Sequence, residues 1–208
     1  LHLGARRASV AQERNRARDI VSTAKQQLAS AYDDVRFGRG LDVDKLWPLV
    51  SSIQASISRH PSAVMGVTRL KDRHEYTYVH SVAMCGLMIS LARQMGLPPA
   101  LHREIGLAGL LHDIGNARVP TMLLEKPGQL TLEERDIVRN HPYWGFDLLT
   151  KGDQLLGSDQ RLSPIVVDVC LHHHERIDGT GYPDQQQGEE ISVYARMAAI
   201  CDIYDAMT

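Results

Sequence analysis

Apolar positions recur at helical spacing through most of this chain, and no segment alternates strictly enough to read as a half-buried strand. Residues 5–37 are rich in Ala, Arg, Gln and Glu and contain neither Pro nor Gly, which predicts one long polar helix ended at Gly38 and Gly40. Leu46, Leu49, Val50, Ile53 and Ile57 mark an amphipathic helix over 43–59, with Pro48 tolerated in its first turn. Residues 73–95 are apolar almost all round after Val79, hence a buried helix, stopped by Gly96 and Pro98. A further helix is expected over about 99–114, then a loop over 115–130. Thr131 and Glu134 form a capping-box pattern that opens another helix. Asn140–His141–Pro142 restarts the chain, with Pro142 at a first helical position. Helices over 162–174 and 191–208 flank a turn-rich loop at 178–190.

Composition supports an all-α fold. Aromatic residues are only 5% of the chain against 43% apolar residues overall, which suits helices packed through Ala, Leu, Ile, Val and Met better than a β-sandwich. The net charge of -2 provides no field that would favour a nucleic acid polymer or an anionic membrane. The apolar stretches near 82–92 are too short and interrupted to span a bilayer. Cys85, Cys170 and Cys201 are odd in number and lie among apolar neighbours, a pattern of reduced core thiols that predicts a cytoplasmic protein. The chain opens on Leu1 rather than Met, and the expectation is a piece of a longer protein.

Two segments carry the candidate chemistry. LLHDIG at 110–115 sets His112 beside Asp113 in apolar surroundings, and HHHERIDGTGYP at 172–183 gathers three histidines and two carboxylates ahead of a Gly-rich turn. His80, His141 and Asp202 accompany them. Five of the ten histidines, His80, His112, His141, His173 and His174, fall on apolar helices or their ends. Asp202 and Asp205, three apart, share one face of an otherwise apolar last helix. Buried imidazoles and carboxylates need partners, and a divalent ion supplies one for all of them at once.

Taken in order, HD at 112–113, HHE at 173–175 and DGTGYP at 178–183 resemble the HD-GYP domain, a branch of the HD metal-dependent phosphohydrolases. The resemblance covers roughly residues 70–208 and includes HS at 80–81, KPG at 126–128, His141 and the CDIYDAMT ending. It implies an all-helical HD-type bundle over 61–208, continued by further helices after Thr208. Residues 1–60 would be a helical arm or linker from a larger regulatory region, able to form a homodimer. It implies hydrolysis of cyclic di-GMP, a bacterial second messenger, to pGpG or GMP, with two metal ions activating a bridging water.

Carried onto this chain, the metal ligands would be His80, His112, Asp113, His141, His173, His174 and Asp202, with Asp113 bridging and His112 and Asp113 central to catalysis. His172 is not expected to ligate. Members with a third ion have a glutamate one turn before the first histidine, and Tyr76 stands there, which implies two ions. Nitrogen and oxygen donors without thiolate favour Fe or Mn, with Ni or Zn also compatible.

The family pattern HD-x-G-K becomes HDIGN, so Asn116 stands where a lysine would meet substrate phosphate, and Arg118 or Lys126 are the candidate substitutes. Tyr182 and Gly181 are candidate substrate contacts, and the GYP loop a candidate docking surface for a signalling protein. Glu175, Asp178 and Asp205 are candidate acceptors from ligand imidazoles. Asn116 also keeps open a catalytically weak sensor of cyclic di-GMP, and the superfamily resemblance alone allows another cyclic dinucleotide or nucleotide as substrate.

Overall fold

Helices joined by short turns make up the structure, a computed structural model that describes residues 10–69, 76–156 and 162–208. Among these residues there is no β-strand, only an isolated antiparallel bridge between Asp178 and Gln187. In chain order the helices are α1 (Val10–Arg36), α2 (Trp47–Arg59), α3 (Pro61–Thr68), α4 (Tyr76–Gln94), α5 (His102–Leu111), α6 (Thr121–Leu124), α7 (Leu132–Val138), α8 (His141–Leu156), α9 (Pro164–His172) and α10 (Val193–Met207). The first positions expected for the helices over 5–37 and 73–95 lie outside the described residues.

The long α1 is not a projecting arm. Ala17, Val21, Ala24, Leu28, Ala31 and Val35 recur at alternating spacings of four and three, the period of a packing seam. All six are buried in the same core as α4 and α5, and α1 lies against α2, α3 and α4. Small alanines along the seam allow close approach of the neighbouring helices.

A buried ion pair ties α1 to α2. Glu13 is fully buried and accepts hydrogen bonds from Arg59 Nε at 2.8 Å, Arg59 Nη2 at 2.9 Å and Ser56 Oγ at 2.9 Å. The Arg59 hydrogen bond is the main reason the Glu13 carboxyl titrates at about 2 instead of its ordinary 4.5. A depressed carboxyl pKa stabilises the fold above the unfolded value and ceases to do so as pH falls towards the folded one. Glu13→Ala is therefore expected to destabilise the chain by about 3 kcal/mol at neutral pH. The difference from the unsubstituted chain should shrink between pH 4.5 and pH 2 in urea titrations.

The centre of the bundle is α4, buried nearly all round as its sequence predicts, with Val82, Met84, Cys85, Met88 and Ile89 inaccessible to solvent. It packs along α5, which packs in turn on α9. The helix expected over 99–114 divides into a short 3-10 turn at Pro99–Leu101, α5, and a second 3-10 turn at Ile114–Arg118. His112 and Asp113 thus occupy the junction between α5 and the second turn. In the same way α9 ends at His172, and His173 and His174 follow it. The Thr131–Glu134 capping box opens α7 as predicted, and Pro142 is the second residue of α8. No helix among the described residues is long and apolar enough to cross a membrane.

Candidate metal centre

Helix ends deliver five of the seven polar side chains. His80 comes from α4, His112 and Asp113 from the end of α5, His141 from the first residue of α8, His173 and His174 from just beyond α9, and Asp202 from α10. Their donor atoms fall into two groups, Asp113 with His141, His173 and His174, and His80 with His112 and Asp202, each within 4.8 Å internally. Asp113 reaches both. Its Oδ1 lies 3.1 Å from His141 Nε2 and 3.5 Å from His173 Nε2, while its Oδ2 lies 3.6 Å from His112 Nε2.

The tautomers follow from the outer partners. A carbonyl oxygen can only accept, so Nδ1–H of His112 donates to Gly109 at 2.9 Å and that of His141 to Val138 at 2.8 Å. His173 Nδ1–H is shared between the carbonyls of Val169 and Cys170, both at 3.1 Å. Each Nε2 then turns a lone pair inward. The Nε2 atoms of His141 and His173 are only 3.3 Å apart. Two lone pairs at that distance repel unless a proton or a metal ion lies with them, and this donor set fits a cation well.

Charge is distributed unevenly. Burial lowers His112 to about 4, so its ring is a neutral donor at physiological pH. Burial, with His173 and His141 adding to it, lowers His174 to about 2. Burial would raise Asp113, but His112, His141 and His173 outweigh it and hold the carboxyl well below its ordinary range. Burial opposes protonation of His80 too, yet hydrogen bonds to Asp202 and Asp205 raise it to about 9. His80 Nε2 faces Asp202 at 3.2 Å, and Nδ1–H donates to Asp205 Oδ2 at 2.7 Å. Asp205, one of the candidate acceptors, is thus the group that receives the His80 Nδ1–H. Asp205→Asn should weaken metal binding by about tenfold to hundredfold, measured by competition with a chromogenic chelator.

Glu175 and Asp178 accept from elsewhere than the clustered imidazoles. Glu175 accepts the backbone N–H groups of Asp184 at 2.6 Å and Gln186 at 3.1 Å, closing the GYP loop. Asp178 accepts from Thr180 N and Oγ1 in an exposed turn. A carboxylate next to unpaired loop amides is taken by those donors first, a closure invisible until the loop is folded. Gly181 packs directly on the backbone of Glu175 and Arg176, where a Cβ has no room. His172 donates to Asp168 at 2.8 Å and lies 3.0 Å from Asp184, so it fastens the loop to α9 and stays out of both donor groups.

Tyr182 stacks on His174, ring centroids 4.7 Å apart. Arg118 is 2.7 Å from Asp147, and Lys126 is 2.6 Å from Glu134. Asn116 Oδ1 is buried without a hydrogen-bond partner. Two tyrosines add contacts that spacing could not reveal. Tyr32 of α1 donates to the Asp113 carbonyl at 3.0 Å, and Tyr76 stacks on His80 at 5.6 Å. Both line a cavity of about 520 Å³ with Arg36, Tyr78 and Lys126.

The HD domain family, compared with this sequence, matches residues 54–208. The chain belongs to the HD domain family. All seven clustered histidines and aspartates lie inside that match. The chain is 50% identical over 202 residues to a Pseudomonas aeruginosa protein named cyclic di-GMP phosphodiesterase, covering 97% of this chain and 47% of the relative. It is 35% identical over 117 residues to a 3'3'-cGAMP-specific phosphodiesterase of Vibrio cholerae, 56% of this chain and 21% of the relative. Its fold resembles that of Bd1817, an HDGYP protein of Bdellovibrio bacteriovorus, with a TM-score of 0.75 at 18% identity over 100% of this chain and 64% of the other. The chain spans about half the length of the first of these relatives and less of the second.

Proposed function

We propose that this HD domain hydrolyses cyclic di-GMP to pGpG, and onward to GMP, at a two-metal centre held by His80, His112, Asp113, His141, His173, His174 and Asp202. The observation that carries the reading is Asp113, one carboxylate with an oxygen in each of two histidine groups. The half-identical relative named for this reaction supports the substrate. Bound there, two divalent ions would supply Lewis acidity to the phosphoryl oxygens and lower the pKa of water to roughly 7.

The chain's own residues supply the rest. Neutral His112 and His174 donate lone pairs without a proton to displace near pH 7. Asp205 fixes the His80 ring, and Tyr76, in place of a carboxylate, limits the site to two ions. Five imidazoles and two carboxylates without thiolate suit Fe or Mn, then Ni or Zn. The cavity bounded by Tyr32, Tyr76 and Lys126 shares Tyr76 with the stack on His80 and is of a size to take a nucleoside. A cyclic di-GMP substrate places the protein in the cytoplasm. A homodimer through α1 would use its exposed face, since the seam is filled within the chain. A signalling protein docking at the GYP loop would meet exposed Ile177.

The Vibrio cholerae relative favours a second reading, in which the cyclic dinucleotide is 3'3'-cGAMP. The unpartnered Asn116 favours a third, a weakly catalytic cyclic di-GMP sensor. The test is anaerobic reconstitution with Fe or Mn, followed by chromatography of reactions with each dinucleotide. Faster appearance of pGpG from cyclic di-GMP is expected. Turnover of 3'3'-cGAMP alone would favour the second reading, and tight binding of cyclic di-GMP without turnover the third.

A further inference from the structure

HDIGN lacks a lysine, and the two cations that next follow it in sequence are tied to carboxylates, Arg118 to Asp147 and Lys126 to Glu134. Arg139 is placed differently. It caps α7, two residues before His141, and is exposed. Its guanidinium carbon lies 4.8 Å from the centroid of the Tyr182 ring, and among the described residues no carboxylate pairs with it. Tyr182 in turn stacks on His174 with a 23° angle between the rings and stands edge-on to His141 at 6.4 Å. Outward from the metal centre the order is therefore His174, Tyr182, Arg139. A guanidinium over an aromatic face is held by the ring quadrupole, and its five N–H donors stay available to an anion.

A cyclic dinucleotide carries two phosphodiester groups in one macrocycle. With one on the metal centre, the ring holds the other a nucleoside's width away, still fully charged. We propose that Arg139, presented by Tyr182, binds the second, uncleaved phosphate and thereby selects a cyclic dinucleotide over esters with a single phosphate. The proposal rests on the phosphodiesterase reading, and it adds a residue and a selectivity to it. It accounts for a permanent cation that, among the described residues, has no carboxylate partner at the edge of a histidine-rich site.

The test compares steady-state hydrolysis of cyclic di-GMP and of bis(p-nitrophenyl) phosphate, which has one phosphate, by the Mn-loaded chain and its Arg139→Ala and Arg139→Lys variants. In Arg139→Ala, KM for cyclic di-GMP should rise by about tenfold to hundredfold, the usual effect of losing a charged hydrogen bond. The ratio of the two kcat/KM values should fall by the same factor. Arg139→Lys should recover part of the ratio, because it keeps the charge and loses the planar fork. An unchanged ratio would overturn the proposal, as would an equal fall for both esters, which would mean that Arg139 only positions Tyr182 and His174. If the unsubstituted chain cleaves the simple ester but not cyclic di-GMP, the phosphodiesterase reading fails and this proposal with it.

Discussion

Asp113→Asn is expected to leave a folded protein that holds at most one metal ion and hydrolyses cyclic di-GMP about a thousandfold more slowly, a loss of about 4 kcal/mol of transition-state stabilisation. The side chain keeps its volume. What it loses is one of two anionic oxygens, Oδ1 facing His141 and His173 and Oδ2 facing His112. An amide offers one oxygen and turns an N–H₂ donor towards the other histidine group. It also removes the negative charge that would help hold a cation between the two Nε2 lone pairs 3.3 Å apart. Metal content by mass spectrometry and turnover by chromatography check the two halves of the prediction. Two ions retained with near-normal turnover would show that Asp113 is not the bridge.

The second large effect concerns a residue with no side chain. Gly115→Ala is expected to lower stability by about 3 kcal/mol and turnover by at least about a hundredfold. A Cβ at Gly115 would enter the carbonyl of His141 and lie 2.6 Å from Gly145 N. Gly145 itself meets Cys170 of α9 and the backbone of Gly115. The turn after Asp113, the start of α8 and the body of α9 close on one another through these two glycines. The methyl group has only rigid backbone to push against, so His141 must move away from Asp113. Thermal unfolding gives the first quantity and the hydrolysis assay the second. Wild-type metal affinity in this variant would mean that the His141–Asp113 spacing is not set by the contact.

The candidate ligands were legible because their residue types are out of place. A histidine or aspartate in LAGLLHDIG or AAICDIYDAMT stands against apolar neighbours, and the helical pattern around it survives. The exact helix ends were not legible, and they matter here. His112, Asp113, His173 and His174 lie at or beyond the last helical turn. There the backbone carbonyls of the turn before are free to accept from the Nδ1–H groups of His112 and His173.

The role of α1 was hidden by its own composition. Alanines at 17, 24 and 31 bury completely or nearly so, yet they add little hydropathy between Arg, Gln and Glu. Roles that depend on loop closure were equally out of reach. Glu175 reads in sequence as an acceptor from the neighbouring imidazoles, and the folded loop gives it to Asp184 and Gln186, while His172, not expected to ligate, is fastened to Asp168 and Asp184. Arg139 carries no signal of its own until the GYP turn brings Tyr182 beneath it.

The most direct test of the central claim is anomalous diffraction from crystals of the Mn-loaded chain. Two peaks are expected about 3.5–4 Å apart, the spacing of two-metal hydrolytic centres. One should lie among His80, His112 and Asp202, the other among His141, His173 and His174, with Asp113 between them. A single peak, or two peaks without Asp113 between them, would contradict the account.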